Sequence, residues 1–443
     1  MMLTFPVKSM QYAAIALSIA AAAVAQAAPM VIHVGDGDLR EAIRCAPAHA
    51  TIVADPARQI EIDATIPITR PLTIVGLNAR LKTGLKRTPI LEVISEGFRF
   101  RDFKLEGNVD SVDQSDRAPL VVIRRGRFVI ENGETNNSAK DGFMITPTET
   151  HGSIEHGVVR NVTGRGTARD VISIGGAGDL GLFVRHLVVQ NICAYDSTLR
   201  GAVEVSDGSE YITVRDVYAK SCVYAVDVQD HNRKGQVNRH VVIDGVHVVD
   251  CLVAIRTANR DLGHDGLTIR NVSGERWRPS ERFRPLHVRN TSNVLLENIR
   301  IHGSSGGPAV LLQNCQNVTL RDVTVSESQT AKDGAVVLED VDHALVDGVQ
   351  VLSVKSLSRH GIVYRITQDR TFAGLRIRSS NVEQVQEAGI LLENSSNSGR
   401  LSSKILTGNL GTVTLFPANG WCQQNVIDPA ASAQTPDEAS GEK

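Results

Sequence analysis

Four short segments of this chain share one pattern, a polar residue held between apolar neighbours: Ala202-Val-Glu-Val205, Ala225-Val-Asp-Val228, Ala254-Ile-Arg-Thr257 and Pro285-Leu-His-Val288. Aligned on that pattern, Glu204, Asp227, Arg256 and His287 fall in a single column. Two carboxylates on adjacent repeats could divide the acid and base work of a glycoside hydrolase. A guanidinium beside them cannot donate its proton, but it can stabilise a carboxylate or a leaving oxygen. The loops that follow add more polar groups, Gln229-Asp-His-Asn-Arg-Lys-Gly235 after Asp227 and Asn259-Arg-Asp-Leu-Gly-His-Asp265 after Arg256. His231 and His264 are the candidate general bases on them. Arg233, Asn259 and Arg260, with Arg200 and His287, are the candidates for holding a substrate. Lys140-Asp141, Arg169-Asp170, Arg200 and Lys332-Asp333 precede the same strand in other repeats, where they read as a polar rim or as solvated turn residues. Opposite charges stacked along a sheet also stabilise one another with no function attached.

Such a column exists only if the elements that carry it stack. Tyr211-Ile-Thr-Val-Arg-Asp-Val217, His240-Val-Val-Ile-Asp-Gly-Val246, Gly266-Leu-Thr-Ile-Arg-Asn-Val272, Asn293-Val-Leu-Leu-Glu-Asn-Ile299 and Asn317-Val-Thr-Leu-Arg-Asp-Val323 repeat one template: an alternating strand that turns at Asn or Asp and returns as a second strand. A period of 20 to 30 residues with strand alternation is the mark of a solenoid whose units bury their apolar side only against neighbours. The leucine-rich pattern is absent, and so are helical stretches between the strands. The fold class is therefore all-β, a single right-handed parallel β-helix of ten to twelve coils, roughly 50 Å long. In later coils the column becomes Leu311, Val337, Val363 and Leu391, and Ser173 and Met144 mark its other margin. The flanking residues face the interior, so the four polar residues should be partly exposed neighbours. Cys193, Cys222 and Cys251, 29 residues apart, should stack inside as small buried hydrophobes.

Lys and Arg (47) nearly balance Asp and Glu (49), and there are only 10 Phe, 6 Tyr and 2 Trp. A nucleic-acid binder or a polybasic membrane binder is disfavoured by that balance. Lys8, the apolar run Tyr12 to Ala25 and the small-x-small Ala25-Gln26-Ala27 read as a signal peptide over 1–27. Residues 28–47 form an N-terminal cap, with Asp38-Leu-Arg-Glu41 spaced as a capping box and 38–46 as a short helix that plugs the stack. The β-helix spans 48–415, and 416–443 is a C-terminal segment with a disordered tail. The mature chain is expected to be a monomer, secreted or periplasmic, with no membrane attachment after cleavage.

A secreted β-helix with a polar column on one sheet resembles the pectate-lyase-like superfamily of carbohydrate-active proteins over roughly residues 35–415. Within it, Asp227-Val-Gln229, Lys234 and Ile255-Arg256 resemble the alginate lyase and chondroitinase B group. That resemblance implies a lyase for an acidic polysaccharide, with Lys234 as base and Arg256 as its partner. It also implies Ca²⁺ held by Glu204 and Asp227, Gln229 standing where a further carboxylate would be expected. Lys234 is flanked by Arg233 and Gly235, not by the Asn and Ser usual around that base. A lyase removes the proton next to a uronate carboxylate, which requires a base and neutralisation of the enolate charge. A glycoside hydrolase using Glu204 and Asp227, and a non-catalytic carbohydrate-binding protein, remain the alternatives.

Overall fold

The computed structural model describes residues 30–34, 38–260, 263–353, 357–417, 421–422 and 425–427. The expected signal peptide and the tail from residue 428 lie outside them. Each coil contributes a long bent strand, such as Ser209–Lys220, and a short one, such as Tyr224–Gln229. Among the described residues the long strands, with shorter ones toward both ends, build a 19-stranded sheet and the short ones a 14-stranded sheet, paired in parallel throughout. Fourteen strands make a stack roughly 60 Å long. This exceeds the ten to twelve coils expected. Near the N-terminus the strands Ile66–Ile68, Leu91–Val93 and Val121–Ile123 are only three residues each, too short to display an alternation.

The bends recur because the sequence supplies residues that tolerate a left-handed backbone. His186 and Asn191, Tyr211 and Asp216, and Asn293 and Asn298 all have positive φ, each pair five residues apart on one long strand. Asn and Asp adopt that conformation at little cost because the short side chain can bond locally. At these corners the amides also link successive coils: Asn191 Nδ2 donates to Asn161 Oδ1 at 2.9 Å, and Asn161 to Asn132 at 2.8 Å.

At the N-terminal end, Leu39–Cys45 is the capping helix, with Leu39 and Ile43 buried. Asp38 caps it by accepting from the Arg40 N–H, while Glu41 turns to Arg44 instead of completing a box. Among the described residues no helix is long and apolar enough to cross a membrane.

The core is a continuous file of Val, Ile and Leu between the sheets, including Val203, Val205, Val226, Val228, Ile255, Leu286 and Val288. Cys222 and Cys251 are buried within it, and the Cys222 N–H donates to Cys251 Sγ at 3.4 Å. Cys193 does not join them. Its register partner is Tyr218, four positions short of Cys222, so the coil that follows it is shorter than the 29-residue spacing requires. Cys193 is left half-buried on the outer side of its strand.

Candidate active site

The column forms as the alternation requires. Ser173 pairs with Glu204, Glu204 with Asp227, Asp227 with Arg256, and Arg256 with His287. Met144 precedes them, and Leu311, Val337, Val363 and Leu391 follow in unbroken register. Pointing outward does not leave these residues exposed. Arg256 and His287 are partly exposed as expected, but Glu204 and Asp227 are fully buried, which corrects the expectation for those two. Long cationic side chains fold over them. Glu204 Oε2 accepts from Arg169 at 3.0 Å and lies 2.6 Å from Arg200, while Oε1 accepts from Gln229 at 2.5 Å and lies 3.1 Å from His231 Nε2. Arg256 grips Asp227 with both prongs, at 2.8 and 2.7 Å. Its guanidinium carbon lies 5.0 Å from the Tyr224 ring centre and 5.9 Å from that of Phe283. His231 Nδ1 meets Asp207 at 2.7 Å, so the imidazole bridges two carboxylates.

A second row lies at the start of the same strands. Asp141 and Asp170 are fully buried, and Tyr224 donates its hydroxyl to Asp170 at 3.3 Å. Gly201, between them in the stack, makes this reach possible: a Cβ there would sit 1.6 Å from the Tyr224 carbonyl oxygen and 3.2 Å from its ring. Arg169 and Arg200 reach the same pocket of charge, 3.9 and 3.6 Å from Asp170.

The family model described as a right handed beta helix region matches residues 263–420. The chain has a right-handed parallel β-helix fold. Among solved structures it is similar to the A-module of an Azotobacter vinelandii mannuronan C-5 epimerase, AlgE6 (15% identity, 83% of this chain, 93% of that one, TM-score 0.53). It is also similar to the pre-mature gene product 12 of bacteriophage phi29 (13% identity, 83% and 52%, TM-score 0.57). These are likenesses of fold. No curated protein matches the chain in sequence.

On this β-helix the buried acids are driven apart in their ionisation. Burial alone would raise the Glu204 carboxyl, but the hydrogen bond from His231 and the charges of Arg200 and Arg169 hold it well below its ordinary value. Asp170 goes the other way, pushed well up by burial and by the charge of Glu204. Burial raises Asp141, and it raises Asp227 with the Arg256 bonds opposing. Tyr224 is kept a neutral phenol by burial among carboxylates. Hydrogen bonds to Asp207 and Glu204 raise His231 to about 9, whereas burial lowers His287 to about 4. His287 donates from Nε2 to Gln313 Oε1 at 2.7 Å.

Of the residues expected to do chemistry, Glu204, Asp227, Arg256, Arg200, Gln229 and His231 come together. The others take different places. His264 is buried, its Nδ1 accepting from the Asn238 N–H at 3.0 Å, and so helps fix the turn behind the loop. Asn259 is buried and bonds Thr291, while Arg260 ties its loop to Asp230 and Asn232. Arg233 and Lys234 are exposed, and no hydrogen bond or ion pair joins either side chain to the cluster among the described residues. Asp141, Asp170 and Arg169, read as rim or solvated turn, prove to be part of the cluster. Tyr224 and Asp207 were not singled out; simple alternation puts Tyr224 on the side of core-facing Val226 and Val228, and nothing in the sequence marks Asp207.

Calcium takes six to eight oxygen ligands. The oxygens of Glu204 and Asp227 already face guanidinium, imidazole and amide donors, and among the described residues no three His, Cys, Asp or Glu side chains gather as a metal site. The donor set does not fit the ion.

Proposed function

We propose that this protein is a polysaccharide lyase that cleaves a uronate-containing glycan by β-elimination. The reading rests on the convergence of Arg169, Arg200, Arg256 and His231 over two buried carboxylates, each cation keeping an outer edge at the surface. A uronate carboxylate arriving from solvent meets those edges first. Its neighbouring C5 proton becomes removable once the carboxylate charge is neutralised, and guanidinium groups already held in place by Glu204 and Asp227 need no reorganisation to do this.

His231 is the group for the proton. It titrates at about 9, within reach of solution pH, and its side chain is 31% exposed at the rim. In its neutral form the imidazole gives up one of its two carboxylate contacts on substrate binding, and the nitrogen so freed takes the C5 proton. The C5 electron pair forms the C4–C5 double bond, the C4–O4 bond breaks, and the imidazolium returns the proton to the departing oxygen on the same face. One unsaturated uronate and one new sugar hydroxyl result, with no co-reactant. This moves the base from Lys234 to His231, since among the described residues no hydrogen bond or ion pair joins the exposed Lys234 to the cluster. Uronate polymers lie outside the cytoplasm, and we place the mature protein there, in the periplasm or beyond it.

One observation favours a second reading. Asp170 is pushed toward its protonated form while Glu204 beside it is held ionised, the division between acid and base that a glycoside hydrolase uses. A single assay separates the two. The purified chain is incubated with alginate, pectate, glucuronan and glycosaminoglycans, following ultraviolet absorbance and reducing ends together. Elimination raises both, hydrolysis raises reducing ends alone, and retention of a glycan without either signal makes the protein a binder.

A further inference from the structure

Five coils beyond Arg256 on the same outward column, an open pocket of about 370 Å³ is lined by Leu391, Phe416, His360, Arg359, Arg365 and Glu387, among others. Its composition differs from that of the cationic cluster. The wall arginines are already paired: Arg359 with Glu387 at 2.8 Å, and Arg365 shared by Glu393, Asp333 and Glu339 at 2.7, 3.2 and 3.4 Å. With Lys332 also on the wall, three bases stand against the four acids Glu387, Glu393, Asp333 and Glu339, so an added carboxylate meets no excess of base. The floor is apolar, because Leu391 continues the outer cluster of Leu311, Val337 and Val363. Phe416 stands at its edge, 64% exposed. His360 is only 7% exposed, and its buried Nδ1 has no hydrogen-bond partner among the described residues. A buried polar atom left unpaired is costly, and a ligand that supplies a partner recovers that cost.

We propose that this pocket is a second saccharide site, selective for an uncharged pyranose. A neutral sugar has what the lining lacks: hydroxyls that both donate and accept, for the paired Arg and Glu groups and for His360 Nδ1, and an apolar ring face to lie against Phe416 and Leu391. The site does not depend on whether the cationic cluster cleaves. Where one glycan chain fills both, its uronate and its neutral unit lie about 24 Å apart along the column.

The test is a titration of the purified full chain with methyl glucoside, galactoside and mannoside and with glucuronate and galacturonate, by calorimetry and ligand-observed NMR. At least one neutral glycoside should bind. Its affinity should fall about tenfold or more in both Phe416→Ala and His360→Ala, the scale of a single lost stacking or hydrogen-bond contact. Phe416 is exposed, so that variant keeps the experiment readable if the buried His360 change disturbs folding. Binding of no neutral glycoside overturns the proposal. So does binding indifferent to Phe416→Ala, or a preference for the uronates that Phe416→Ala abolishes. None of these outcomes bears on the elimination assay, whose result stands separately.

Discussion

The imidazole of His231 makes the most quantitative demand on this arrangement. Its titration moves from 6.5 to about 9 because Asp207 and Glu204 both favour the charged ring. At about 1.4 kcal/mol per pKa unit, that shift corresponds to about 3 kcal/mol of folding stability. The lowered pKa of Glu204 records part of the same interaction from its partner's side, so the two are not added. The sign follows from a raised folded value: the contribution is complete below about 6.5, where both states are protonated, and is lost as pH rises through about 9. Urea midpoints of the wild type and His231→Gln, taken from pH 6 to 10 at constant ionic strength, should therefore diverge at low pH and converge at high pH. Long repeat arrays can unfold in segments, so exchange of the Val226 and Val228 amides gives a local reading of the same effect. Parallel curves for the two proteins across this window would refute the bridge. If the same ring is the base, kcat/KM climbs over the interval in which stability declines, and the two profiles cross.

Arg256→Ala should destabilise by about 3 kcal/mol, because it leaves Asp227 buried without its partner. Adding Asp227→Asn should recover most of that loss, as thermal midpoints of the single and double variants would show. Gly201→Ala forces the strand away from the Tyr224 carbonyl and should cost at least ~2 kcal/mol, together with the Tyr224 to Asp170 contact, measured by unfolding and by tyrosine fluorescence. Chelation with EDTA should leave turnover of a uronate polymer unchanged, and added calcium should not raise it; a dependence on calcium would mean that the arginines leave the carboxylates when substrate binds.

The column was legible because its cause is local. A residue between two core-facing valines must point out, and equal strand patterns in successive coils must stack, so Glu204, Asp227, Arg256 and His287 could be aligned without coordinates. Burial was not legible, since it depends on where Arg169 and Arg200 lay their side chains, and both stand in turns outside the repeated pattern. The cysteine column failed for a related reason: equal spacing in sequence implies stacking only when the coils are of equal length, and the coil after Cys193 is short. His264 and Asn259 looked like loop residues available to a ligand, yet the turn uses them to satisfy its own buried polar groups. Asp170 and Tyr224 meet across a glycine from coils 54 residues apart in sequence, a relation that no single repeat displays.

The unbroken register from Met144 to Leu391 turns the molecule into a ruler. Each coil advances the sheet by the same step of about 4.8 Å, so any two features on this face are separated by a whole number of such steps, whatever their loops contain. Duplicating or excising one coil between His287 and Leu391 would slide the second pocket relative to the cationic cluster by one graduation and leave the side chains of both unaltered. Change in this protein can thus retune the distance between the two sites independently of the chemistry at either mark.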